Sequence, residues 1–493
     1  MAVRGCLALI ITVLVGGQSH ANPLLDPGDI LLRHDLELLN DSGVINVPLT
    51  AWPLSVGDID ESLRAIDDST LSLSVAAAFA RVKNQIATET NVNESRIAFD
   101  VSASVEPRFI RTFEATPRDE GEVGASFAWV GERISVRLAA TGIANPFDGD
   151  DFRPDGSYVG VALGNWMLTA GWQDRWWGPS RDGSLILSSN ARPTPGVMLQ
   201  RNSSQPFRTK WLSWMGPWTL TTFMSELDDE RAVANARLFG IRGTFRPPKT
   251  GLEIGFSRTA QWCGDGRPCS LGTFGDLLLG KDNRGVNIDP ENEPGNQLAG
   301  VDIRWKLPGE TPVALYMQWI GEDGRGGGEG IGSWLRQIGG EFWGEVGSIR
   351  HRTHVEVSDS TCRQGGFGFS DQVPGCAYHH SIYSTGYRYQ SRAIAHAMDG
   401  DGLSYSIGST LVQSAGQVWN VSLRHMEINR AGSTRPGHSV SATPAEITDF
   451  QVSHARRFDF GTIRVGISTN RKNGLASGDD STDMGGFLQW SSH

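Results

Sequence analysis

Lysine is scarce: only six of the 44 basic residues are lysine (Lys83, Lys210, Lys249, Lys281, Lys306 and Lys472), so arginine carries nearly all the positive charge. Arginine is favoured where a planar, permanently charged group must pair in a confined space. Basic residues are in the minority, 44 against 55 acidic, which argues against nucleic acid as a partner. Long apolar runs are missing too. Beyond the amino terminus no stretch reaches the ~18 residues of a spanning helix. G-x-S-x-G, H-E-x-x-H and phosphate-loop motifs are all absent, so the familiar hydrolase, zinc-protease and nucleotide sites are not expected. No cofactor, bound metal or catalytic residue is predicted.

Cysteine is also sparse, with five residues. Cys6 lies in an amino-terminal segment with a basic start (Met1 to Arg4), an apolar run (Leu7 to Val15) and small residues at Ser19-His20-Ala21. That pattern predicts a secretory signal over 1–21, with Asn22 as the mature start. The other four cysteines fall into two close pairs, Cys263 with Cys269 and Cys362 with Cys376, each bracketing a Gly- and Pro-containing segment. In an exported chain this predicts one disulfide per loop. Neither pair has a histidine at zinc-ligand spacing.

What is present divides into two periodicities. Residues 22–95 read as a small helical module. Ile30, Leu31, His34, Leu38 and Leu39 recur at three and four residues, and Gly43 supplies a stop. A second helix carries Ile59, Leu63 and Ile66 with Asp58 as its expected cap, and an alanine-rich third runs through 71–89. From 96 to 493 the period is two. Ile97, Phe99, Val101, Ala103 and Val105 alternate with Asp100, Ser102, Ser104 and Glu106. Val301, Ile303, Trp305 and Leu307 alternate with Gly300, Asp302, Arg304 and Lys306.

A soluble sandwich would also alternate, but charged residues inside well-formed strands fit a barrel with a wet lumen and a lipid-facing wall. Tryptophans gather at strand ends (Trp166, Trp172, Trp176, Trp177, Trp211, Trp214, Trp218, Trp334 and Trp343), as an interfacial girdle requires. The length allows roughly 16–18 strands of about ten residues. The predicted fold is a transmembrane antiparallel β-barrel with a small amino-terminal α-helical bundle.

The segment 171–193, GWQDRWWGPSRDGSLILSSNARP, has two readings. Leu168, Ala170 and Trp172 continue an outer face, so Trp176 and Trp177 are expected in the membrane belt, with Asp174 and Arg175 turned to the lumen. Alternatively Trp176 or Trp177 stacks on a sugar, while Arg175, Arg181, Asn190 and Arg192 bind hydroxyls or carboxylates. His351 and His354 should point to opposite faces of a strand and share no ion. The His379-His380 doublet is expected in a loop-to-strand transition. The acidic groups Glu226, Asp228, Asp229 and Glu230, and Asp282, Asp289, Glu291 and Glu293, are expected in solvated loops or paired with lumen arginines such as Arg237, Arg242, Arg258 and Arg304. Glycoside hydrolysis by such carboxylates and Ca²⁺ binding by the oxygen-rich loops, which lack EF-hand spacing, are the competing readings.

Several motifs, DRWWGPSRDGSLILSSNARPTPGVMLQR, ARLFGIRG, LEIGFSRTAQWCGDGRPCSLGTFGDLLLGKDNRG and EPGNQLAGVDIRW, together with LLRHDLELLNDSGVINVPLTAWPLSVGDI, resemble the Wzi capsule assembly family over roughly 29–307. The CGDGRPC pair and the QWSSH ending depart from the family pattern. The resemblance implies an outer-membrane barrel of 18 strands behind a periplasmic helical bundle. It also implies a non-enzymatic lectin-like role, attaching capsular polysaccharide or exopolysaccharide at the cell surface. The expected partners are that polymer, outer-membrane lipid and periplasmic export or assembly components. A diffusion or export channel for saccharides is the alternative. Candidate polymer-carrying loops are 111–124, 263–269, 282–296, 321–332 and 362–376.

Overall fold

The computed structural model describes residues 23–64, 66–279, 295–323, 331–364, 371–413, 416–432, 438–475 and 480–492. The expected signal at 1–21 and the acidic positions Asp282, Asp289, Glu291 and Glu293 lie outside them, as does most of the glycine-rich run at 321–332.

Eighteen antiparallel strands close into a barrel, and the last, Ser481–Ser491, pairs with the first, Ser95–Val105, with Ser491 opposite Asp100 and Gly486 opposite Val105. Closure leaves no free sheet edge. The alternation of the sequence becomes the two faces of this wall. Ile97, Phe99, Val101 and Val105 are exposed outward while Ser102 is buried inward. Likewise Asp302 and Arg304 point into the lumen and Trp305 points out. An apolar outer face over a charged interior is the signature of a barrel in lipid. One end has tight turns such as 131–133, 347–348 and 459–460, and the other carries the long segments 106–120, 173–194, 263–279 and 371–402.

Three helices precede the wall: α1 (Ile30–Asp41), α2 (Val56–Leu63) and α3 (Leu73–Thr90). Asp29 caps α1 by accepting from the amides of Leu31 and Leu32, and Gly43 takes a positive φ just past its end. Asp58 lies within the first turn of α2 rather than capping it; Ser55 holds that position, and the Asp58 carboxylate instead accepts from Ser204 of the wall loop. Nearly all of α1 is buried, including Arg33, Asp35, Glu37, Asn40 and Asp41. Its apolar stripe packs on α2 and α3, and its polar stripe faces the barrel interior.

A fourth helix, α4 (Leu271–Leu279), sits on the outside of the wall. Phe274 and Leu277 pack on Phe239, Ala260 and Trp262, which alternate along their strands with the lumen-facing Leu238, Thr259 and Gln261. Arg258 shares that outer face. It donates to the carbonyls of Leu277 and Leu278 at the carboxyl end of α4 and to Gln297. Arg258 was expected in the lumen; the strand register turns it the other way.

Candidate functional site

The lumen is filled from both ends. Segment 173–194 dips inward from the long-loop end and meets the helical module, where Trp176–Trp177 pairs with Ala51–Trp52. Gly178 takes φ +133° there, and a Cβ would lie 2.8 Å from the Gln318 amide nitrogen. Gly183 is pressed on His396, where a Cβ would come within 2.3 Å of the ring. Both positions therefore require glycine.

Trp176 and Trp177 are only 1% and 0% exposed. Trp176 stands edge-on to Phe113 at 5.3 Å, and Trp177 edge-on to Phe223 at 5.5 Å. This corrects the expectation of a membrane belt for these two residues. Both rings belong to the plug, and neither has a face open to a sugar. Trp343 is likewise internal, beneath the Arg352 guanidinium at 4.3 Å. Trp211 and Trp214 are exposed at the tight-turn end, as a girdle requires.

The polar residues of the same segment divide by depth. Arg175 stacks over Phe223 at 4.2 Å and approaches Thr194. Arg181 joins Glu37 of α1 to Glu341 of the wall. Asn190 donates to the Ala393 carbonyl at 2.9 Å. Arg192 alone of the six expected binding residues reaches the outer rim, where Asp148, Asp150 and Asp155 surround it.

Below the plug a network ties α1 to the wall. Asp41 accepts from Arg304 through two bonds of 2.8 Å and from Arg352 at 3.0 Å, and Glu341 accepts from Arg304 and Arg181 and is ion-paired with Arg352 at 3.1 Å. Arg242 holds Asp302 bidentately at 2.6 and 2.9 Å. Of the arginines expected in the lumen, Arg242 and Arg304 thus pair with carboxylates of strands and helix rather than with the loop acids, while Arg237, like Arg258, lies on the outer face of its strand. Burying such charges is tolerable only because each is paired and hydrogen-bonded.

The outer half of the lumen is packed by 371–402. Tyr378, Tyr383 and Tyr387 are buried, with the Tyr378 hydroxyl on the Leu185 carbonyl and that of Tyr383 on the Cys263 carbonyl. Both expected disulfides are present, Cys263–Cys269 and Cys362–Cys376, and each anchors a long-loop segment. His354 is internal, whereas His351 packs edge-on to the outward Phe342, so the two face apart as expected. Among the described residues no cluster of three or more His, Cys, Asp or Glu has metal-holding geometry.

Above the packed lumen, the long loops leave a cleft lined by Arg118, Asp119, Phe147, Asp148, Arg153, Arg192, Gln390 and Arg392. Arg153 is clasped by Asp119 and Asp148. Arg392, 6% exposed, lies over Phe109 at 4.4 Å and Phe147 at 5.0 Å and donates to the Phe109 carbonyl. The sequence had marked the loop containing Arg118 and the residue Arg192. Phe147, Gln390 and Arg392 carried no signal, because they converge from loops over two hundred residues apart.

Comparison with known proteins agrees with this architecture. The family model described as capsule assembly protein Wzi matches residues 89–479. A 55.8 kDa protein of the cps region of Klebsiella pneumoniae is 35% identical over 316 residues, 63% of this chain and 60% of that protein's length. The chain thus spans about three fifths of that relative. Among solved structures, Escherichia coli Wzi, described as an outer-membrane, carbohydrate-binding β-barrel involved in group 1 capsule assembly, superposes with a TM-score of 0.80. It is 27% identical, and the alignment covers 95% of this chain and 98% of the other. A family match over most of the chain, and a structural alignment that covers 95% of it, give one conclusion: this chain belongs to the Wzi capsule assembly family.

Proposed function

We propose that this protein is an outer-membrane lectin that holds capsular polysaccharide or exopolysaccharide at the cell surface. The observation that carries the reading is the filled lumen beneath a polar cleft. Helix α1, segment 173–194 and segment 371–402 occupy the barrel interior, so a polymer has only the long-loop end to engage. Periplasmic turns of such barrels are short and outer loops long, which puts the cleft outside and the helices inside, within reach of export or assembly components. Many weak contacts along a repeating chain give avidity without a deep pocket.

The same filled lumen speaks against a diffusion channel. A binding role rather than glycoside cleavage fits the cleft carboxylates, because Asp119, Asp148, Asp150 and Asp155 are already engaged by Arg153 and Arg192. The test is a pull-down of purified surface polymer on detergent-solubilised protein, with a deletion strain scored for bound against released polymer. Binding in vitro and shedding at normal total yield are expected. No binding and unchanged retention would overturn the reading.

A further inference from the structure

Of the four arginines lining the cleft, two are satisfied by carboxylates and two are not. Arg192 and Arg153 take up Asp119, Asp148, Asp150 and Asp155 between them. The Arg118 guanidinium donates only to the carbonyls of Ser189, Asn190 and Ala191, its backbone amide going to Glu122, and the Arg392 guanidinium only to the carbonyl of Phe109. Neither forms an ion pair among the described residues. Arg111, just behind, is in the same position, donating to the carbonyls of Thr116 and Pro117. Among the described residues these three guanidinium groups thus converge with no carboxylate within ion-pair distance, although Glu122 and the buried Asp174 lie near enough to be felt by Arg111, and Asp174 by Arg118.

The electrostatic strain has a measure. Burial, and next the charge of Arg118, hold Arg392 down at about 9, although Asp119 and Asp148 oppose this. An anion entering the cleft would offset both effects by supplying the missing opposite charge. At its rim Phe147 is 55% exposed, an apolar plane beside the charge, and Gln390 leaves a free amide. Fixed guanidinium donors and an adjacent aromatic face suit one ligand chemistry, a carboxylate on a pyranose ring whose C–H face lies on the phenyl.

We propose that Arg118 and Arg392 form a subsite for the carboxylate of an acidic sugar residue in the polymer, with Phe147 stacking on its ring. This rests on the lectin reading above, and it adds a requirement for negative charge on the ligand.

The experiment measures binding of the host strain's purified polymer, native and after chemical reduction of its carboxyl groups, to the full-length protein in detergent. The variants are Arg392→Gln, Arg118→Gln and Arg392→Lys. Native polymer should bind wild type at least about tenfold more tightly than reduced polymer, the effect of one charge-assisted contact. The two glutamine variants should lose about that factor on native polymer, and Arg392→Lys should recover part of it. On reduced polymer all four proteins should bind alike, which also shows that the variants are folded. If native and reduced polymer bind wild type equally, or if reduction matters but the variants bind native polymer like wild type, the subsite is refuted and the lectin reading stands. If wild type binds neither polymer, both fail.

Discussion

Replacing Asp41 by alanine removes the carboxylate on which two wall arginines converge. Arg304 and Arg352 are buried, and each bonds Asp41 at 2.8 to 3.0 Å. Glu341 remains to share them, but it already serves Arg181. Stripping one partner from a buried pair costs ~3–5 kcal/mol, because the remaining charge stays desolvated. The loss falls on the attachment of α1 to the barrel, not on the wall hydrogen bonds. The expected result is a heat-modifiable barrel of normal mobility whose α1 amides exchange faster and whose 42–50 segment is cut by protease. Adding Arg304→Met to Asp41→Ala removes both charges and should restore part of the loss, with a coupling energy of ~2 kcal/mol or more. If the single variant protects its α1 amides like wild type, or the two losses simply add, the network does not hold the helix and the reasoning is wrong.

The remaining predictions are shorter. Burial pushes Asp58 up to about 6 from its ordinary 3.8, against the opposing hydrogen bonds from Ser204. A carboxyl raised on folding contributes most below its unfolded value and loses that contribution as pH rises through 6. Docking of α2 on the 202–217 loop should therefore weaken by ~3 kcal/mol between about pH 4 and 6. Hydrogen exchange of α2 measured against pH would show this, and Asp58→Asn should flatten the profile; an equal slope in the variant would sink the assignment. Opening Cys362–Cys376 by Ser substitution at both positions releases a loop with a sequence separation of 14, for which the chain-entropy account gives ~3 kcal/mol; it should raise protease cutting within 371–402, and unchanged cutting would count against it. Arg258→Ala should free the carboxyl end of α4 from the outer wall, seen as faster exchange at Leu277 to Leu279, whereas unaltered exchange would mean that Phe274 and Leu277 alone hold it. Wild type in planar bilayers should pass no steady current, and an open-pore conductance would restore the channel reading.

How far the sequence carried depended on which question periodicity can answer. A period of two assigns residues to one of two faces, and it did so correctly for Ile97, Phe99 and Val101 outside and for Asp302 and Arg304 inside. It cannot report what covers a face. Arg258 belongs to the outer set by register, but only the fold reveals that α4 lies over it and satisfies its charge. The double tryptophan shows the same gap in reverse. Trp176 and Trp177 follow a strand that leaves the lipid, which is where girdle residues occur, yet the chain turns inward there and buries both indoles against Phe113 and Phe223.

Nothing local distinguishes a loop that folds back into a lumen from one that reaches into solvent, since both are rich in Gly, Pro, Ser and Arg. The scarcity of lysine is better understood with the lumen in view. Arg181, Arg242, Arg304, Arg352 and Arg424 each meet one to three carboxylates in a packed interior, where a planar fork satisfies two acceptors and an ammonium would leave one short. Arg118 and Arg392 break that pattern. Among the described residues Arg111, Arg175 and Arg231 also lack a carboxylate, but they lie outside the cleft; Arg118 and Arg392 line it beside an exposed phenyl ring, and there a counter-ion can come from outside.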